Sequence, residues 1–299
     1  MKKLKPATKV PLLVIVIYSL LAASSALTFL WGKDEDSAFA SAIVIQILVF
    51  VMPTVFYSRL TSLSFSKKLN LRLFPPTKIV LIIGLLCVMI FGSLTVSLLW
   101  SSLIDIPSDG GIPTSIYSMN PIYVIVAFCV VPAVCEEFVF RGVLLCEYST
   151  YGPLAAITIT SALFAMSHFS FTELPTRIFC GIILAAALYM TKSLFAPMLL
   201  HLANNLVSVY LLPYVNAVVL QPRGALFSVF IVGTLFLAGL IIVFREGESV
   251  YFEFAYDPAY SGGRRDRDKA PGKKDSALVA FFSPTLIICL LMFVILTIK

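Results

Sequence analysis

Apolar residues fill this chain in long runs, broken by short polar stretches. A hydrocarbon layer about 30 Å thick takes roughly 20 apolar residues of helix to cross. The runs predict nine membrane-spanning helices, at residues 10–31, 38–57, 79–104, 121–145, 153–169, 174–191, 194–214, 225–244 and 277–298. Eight spans result if one segment is re-entrant. The strict apolar–polar alternation of membrane β-strands is missing. The expected fold class is therefore all-α, a polytopic transmembrane helix bundle. The pattern divides the chain into a three-span region at 1–120, a helix core at 121–214 and two spans at 215–299. A polar segment at 246–275 reads as a cytoplasmic linker, since its Ser/Gly/Arg/Asp/Lys-rich sequence cannot build a core. No internal repeat is visible, so an inverted-repeat carrier gains no support.

Composition agrees with this pattern. The 299 residues are 59% hydrophobic and 13% charged, with mean hydropathy +0.97. Average soluble domains carry about 25% charged residues, so a soluble enzyme, a nucleic-acid reader, a disordered chain and a secreted disulfide scaffold are all excluded. The net charge of +6 matters less than its distribution. With the amino end in the cytoplasm, eighteen Lys and Arg fall on the cytoplasmic side and four (Lys33, Arg177, Arg223, Lys299) on the other. That asymmetry follows the positive-inside rule and reads the basic loops as topology signals. The expected location is a bacterial or archaeal cell membrane. The run at 10–31 exceeds the 7–15 residues of a signal-peptide core and is expected to remain as an anchor. The six cysteines show no metal-site spacing and read as small buried hydrophobes.

Ionisable groups inside spans are costly and point to function. The fourth span reads Val131-Pro-Ala-Val-Cys-Glu-Glu-Phe-Val-Phe-Arg-Gly142. Glu137 and Arg141 are four apart with the acid first, the favourable order for an intrahelical pair. Glu136 lies about 100° around the helix, lacks a partner at i+3 or i+4, and is free to face another helix. Pro132 is expected to kink the helix beside these carboxylates. The only two histidines, His168 and His201, fall in apolar segments taken as helical. Asn205 shares a face with His201 at i+4, with Asn204 at i+3 as the alternative. Either histidine alone is readily a packed core residue, and a Glu–Arg pair is ordinary helix glue. Their concurrence with an unpaired Glu and an Asn over three membrane helices is not.

Glu136-Glu-Phe-Val-Phe-Arg141, Phe164-Ala-Met-Ser-His168 and His201-Leu-Ala-Asn-Asn205 match, in order, the EExxxR, FxxxH and HxxxN motifs. Together they resemble the signature of the CPBP intramembrane proteases, which include type II CAAX prenyl endopeptidases and bacteriocin-related members. The resemblance covers roughly residues 121–214. It implies a catalytic set of Glu136, His168, His201 and Asn205, with Glu137 and Arg141 as a supporting pair. It also implies a membrane-embedded or lipidated peptide or protein substrate, the bilayer as partner, and no nucleic acid.

Peptide hydrolysis needs an activated water, a proton for the leaving amine and donors for the oxyanion. Glu136 reads as the general base and His168 as its helper on the water. His201 and Asn205 read as oxyanion donors. No cofactor is expected, with zinc held by Glu136, His168 and His201 as the alternative, a ligand set some catalytic zinc sites use. A non-enzymatic class stays open: a proton-coupled transporter, or an immunity or scaffold protein, using the same polar face as an ion or contact site.

Overall fold

The computed structural model describes residues 5–30, 35–61, 69–104, 119–211, 222–256 and 277–298. Helices make up nearly all of it, and no strand occurs among the described residues. The helices are α1 (Pro6–Leu30), α2 (Glu35–Gln46, continued by a π-helical turn Ile47–Val51 and by Met52–Leu60), and α3 (Ile79–Leu103). Then come α4 (Pro121–Tyr151), α5 (Pro153–Met166), α6 (Leu174–Thr191) and α7 (Phe195–Leu211). The chain closes with α8 (Pro222–Tyr256), α9 (Ala277–Phe281) and α10 (Pro284–Thr297).

Six of the helical segments are long and apolar enough to cross a membrane: Pro6–Ser24, Phe39–Leu60, Pro76–Ser101, Pro121–Tyr151, Leu174–Thr191 and Phe230–Glu248. Three apolar helices are shorter, Pro153–Met166, Phe195–Leu211 and Pro284–Thr297. Helices occupy all nine expected positions among the described residues, and six have the length of a full span. The protein is an integral membrane protein. Of the boundaries that differ from expectation, two bear on the linker and the site. Helix α8 does not stop near residue 244 but continues to Tyr256, into the segment read as linker; the rest of that linker, 257–275, lies outside the described residues. Helix α5 ends at Met166, so His168 is not in a helix but in the turn beyond it. The reason is local: Phe169 takes a left-handed backbone, φ 47°, which an L-residue helix cannot continue through.

Packing sets α4 against α1, α2, α5 and α7, with α6 behind α5 and between it and α3. The largest core cluster joins Val10, Val14, Ile17 and Tyr18 of α1 to Phe140 and Leu144 of α4 and Leu163 and Phe164 of α5. Polar ties fix the ends of this cluster. Lys9 on α1 pairs with the buried Glu147 on α4, and the Ala7 amide donates to the Tyr151 hydroxyl at 3.1 Å. Tyr18, fully buried, donates its hydroxyl to the Leu163 carbonyl at 2.7 Å. Its ring also meets Phe169 edge-on, centroids 5.4 Å apart. Helix α1 thereby braces the end of α5 from which His168 projects.

Candidate active site

Helix α4 is not uniform, and its irregularity presents the carboxylates. A π-helical segment, Ile125–Val130, runs up to Val131-Pro132, and a second, Phe138–Leu144, follows Glu137. Between them Val131–Glu137 is α-helical. Pro132 lacks a backbone N–H and so disturbs the hydrogen-bond ladder of the turn before it; the expected kink takes the form of this widened turn. π-Helical segments of this kind often accompany functional positions. Glu136 and Glu137, adjacent on the short α-helical stretch, point at different neighbours.

Glu137 is completely buried. Its Oε1 accepts from Arg141 Nη1 at 2.8 Å, the expected intrahelical pair, and also from His201 Nδ1 on α7 at 2.8 Å. Reading Glu137 as a partner of Arg141 alone is therefore too narrow. One carboxylate oxygen holds both a guanidinium on its own helix and an imidazole on another. Arg141, 1% exposed, donates from Nη2 to the Gly181 carbonyl on α6 at 3.0 Å. That carbonyl is reachable because α5 and α6 touch there: a Cβ on Gly181 would lie 2.9 Å from Ser161 Cβ.

Glu136 is 5% exposed, and its Oε2 bonds none of the described residues. Across the helix gap it faces His168, with Oε2 and Nε2 4.0 Å apart. His168 Nδ1 lies 3.1 Å from the Phe164 carbonyl. A proton on Nδ1 adds to the bonds that carbonyl already accepts from the Ser167 amide and hydroxyl, and turns the Nε2 lone pair toward Glu136. Burial, and then the cation of Arg177, hold the His168 pKa well below the ordinary histidine value, so the ring is neutral at neutral pH. The imidazole lies outside the helical spans, in the turn after α5.

Phe164 joins these groups and was not singled out on its own in the sequence. Its ring meets His168 edge-on at 5.2 Å and His201 at 5.7 Å, with the Arg141 guanidinium 4.5 Å from its centroid. The signal was present: Phe164 is four residues before His168, hence one helical turn away on the same face. Asn205, one turn beyond His201, donates from Nδ2 to the Cys129 carbonyl in the first π-helical segment of α4, at 3.4 Å. This contact is long, so the amide is loosely held. Helices α4 and α7 and the turn after α5 thus link Glu136 to His168 and Glu137 to Arg141 and His201, with Asn205 one turn along α7 from His201.

The zinc alternative requires Glu136, His168 and His201 to converge as ligands. Among the described residues no three His, Cys, Asp or Glu side chains are grouped to hold a metal ion. No step below passes through a metal.

Residues 118–207 match a family model described as type II CAAX prenyl endopeptidase Rce1-like. The matched segment runs from the start of α4 into the last turns of α7 and contains every residue of the site. No curated protein and no solved structure gives a significant match to the chain.

Proposed function

We propose that this protein is an intramembrane endopeptidase of the CAAX type, which hydrolyses a peptide bond of a membrane-associated substrate with water activated by Glu136. The observation that carries the reading is the unlike use of two adjacent carboxylates. Glu137 is consumed by Arg141 and His201, whereas Glu136 is buried with a free oxygen facing a neutral imidazole. Two acceptors 4.0 Å apart cannot bond each other, but one water with ordinary contacts of about 2.8 Å to each can bridge them. The match of residues 118–207 to a prenyl endopeptidase family supports the same chemistry.

The steps follow from the positions. Glu136 takes a proton from the bridging water as its oxygen attacks the scissile carbonyl carbon. The carbonyl oxygen becomes an oxyanion and is met by donors from α7. His201, its Nδ1 held on Glu137, and the Asn205 amide, weakly held by Cys129, supply those donors. The C–N bond then breaks, and the proton on Glu136 passes by way of His168 to the leaving amine. The products are a carboxylic acid, which keeps the water's second proton until it ionises to the amine or to solvent, and a free amine.

The test is Glu136→Gln, which keeps size and hydrogen bonding but cannot accept the proton. Purified variant and parent would be compared on farnesylated and unprenylated peptides, with a melting curve for each protein. Turnover should fall by roughly the 10²–10⁴ ascribed to general acid–base groups, with melting unchanged. Full turnover in Glu136→Gln overturns the mechanism. A parent protein that cleaves nothing, yet moves protons or solute across vesicles, favours the carrier reading.

A further inference from the structure

One charged group beside the site has no part in that mechanism. Arg177 lies one turn into α6, four residues before Gly181, whose carbonyl takes Arg141. Residues four apart share a helix face, so Arg177 lies on the same face of α6 as the Gly181–Arg141 contact. Its ion-pair partner Glu173 lies in the same short connection between α5 and α6 that carries His168. The Arg177 side chain keeps 34% of its surface exposed, unlike the sealed Arg141 at 1%.

Its hydrogen bonding is half used. Nε and Nη2 both donate to the same oxygen, Oε2, of Glu173, which is itself 33% exposed. Nη1 bonds no described residue. A half-exposed i,i+4 pair contributes little to stability and is readily exchanged for a better-aligned carboxylate, the group that the planar guanidinium fork accepts in bidentate fashion. Around it the turn is ordered and mostly uncharged. Ser170 and Thr172 hydroxyls lie 3.0 Å apart, and the Ser170 hydroxyl accepts from the Glu173 amide at 3.3 Å. Phe171 packs on Trp100 of α3 with centroids 5.7 Å apart and is 43% exposed. An apolar lip with one available guanidinium, next to the water-activating pair, is built to take a peptide that is apolar except for one negative group.

We propose that Arg177 positions the substrate by binding a carboxylate of the peptide beside the scissile bond. The inference rests on the peptidase reading and adds to it the charge the substrate carries. Two sources supply that chemistry: the free carboxyl terminus of a peptide cut near its end, or an acidic side chain close to the cut.

The experiment uses the full chain in detergent and three short farnesylated peptides. One ends in a free carboxylate, one in a carboxamide, and one in a carboxamide with an added aspartate near the end. kcat and KM are measured with the parent protein, Arg177→Gln, Arg177→Lys and Glu173→Gln. For the parent, the free-acid peptide should show a KM lower by about tenfold or more than the plain carboxamide, as one aligned charge-assisted bond pair produces. Arg177→Gln should raise that KM to the carboxamide level, leave the carboxamide KM in place and change kcat little, with Arg177→Lys intermediate. Glu173→Gln should leave the free-acid preference intact. A low KM for the aspartate peptide assigns the carboxylate to a side chain; a low KM for the free acid alone assigns it to the terminus. Equal KM for all three peptides on the parent protein overturns the inference, and needs no variant to fold. A kcat loss in Arg177→Gln that is the same for every peptide also overturns it. A parent that cleaves none of the three, and matches Glu136→Gln, overturns the peptidase reading itself.

Discussion

Removing the negative charge of Glu137 separates two duties that the structure assigns to one oxygen. Glu137→Gln preserves the shape and an acceptor but strands the Arg141 cation, 1% exposed, in a low-dielectric interior. Breaking a buried pair by removing one partner costs about 3–5 kcal/mol. Arg141 would keep its bond to the Gly181 carbonyl at 3.0 Å and the Phe164 ring at 4.5 Å. Such a desolvated cation–ring contact is worth up to about 2 kcal/mol, so the loss should fall at the lower end, roughly 3 kcal/mol. With about 2–4 °C per kcal/mol for chains of this order, melting should drop by roughly 6–12 °C. Adding Arg141→Met leaves no charge stranded and should recover most of the stability, a coupling that a double-mutant cycle measures directly. Turnover should not recover with it, because the carboxylate that orients His201 is still missing; loss of such an orienting partner costs about 10–100-fold. The assay is turnover per folded molecule beside a melting curve for the four proteins of the cycle. Recovery of both stability and turnover in the double variant would show that Glu137 serves Arg141 alone. No loss of melting temperature in Glu137→Gln would refute the buried-pair argument.

Two further outcomes are expected. Asn205→Ala removes a neutral oxyanion donor, so kcat should fall by about 10²–10³ with KM and melting nearly unchanged, read by steady-state kinetics; a change in KM alone would remove Asn205 from that role. On the charge asymmetry of the loops, the basic segments 59–78 and 245–274 are expected to be cytoplasmic; single cysteines introduced there should resist impermeant thiol reagents in intact cells, and ready labelling from outside would invert the topology.

Much of the site was legible because its signals were local. The intrahelical pair Glu137–Arg141 follows from spacing alone, and both histidines stood out as ionisable groups in apolar sequence. Which carboxylate each imidazole meets was not legible. That choice depends on how α4 is rotated, and two π-helical segments, at Ile125–Val130 and Phe138–Leu144, set the rotation. Pro132 announced a disturbance but not its sense. The departure of His168 from α5 rests on the left-handed backbone at Phe169, a residue type that gives no warning of it. Phe164, between both imidazoles and Arg141, looked like any core phenylalanine, since its role comes from contacts with α4 and α7. Hydropathy located the helices, of which six among the described residues reach the length of a full span, whereas the continuation of α8 to Tyr256 runs through Arg245-Glu-Gly-Glu-Ser249, where apolar run length stops being informative.

The Arg141 acceptor on α6 is a peptide carbonyl, and no substitution can delete a peptide carbonyl. Selection therefore cannot act on the acceptor itself; it acts on the smallness that uncovers it. At position 181 any side chain must push against Ser161, whose Cα and Cβ lie within 3.0 Å of where a Cβ would stand. The two helices would have to separate, and the carbonyl would be withdrawn from the guanidinium by the same displacement. A methyl group added at a position with no chemistry of its own would then act as a lesion in the ionic chain Gly181–Arg141–Glu137–His201. A survey of sequence variants that scores only polar positions would pass over it.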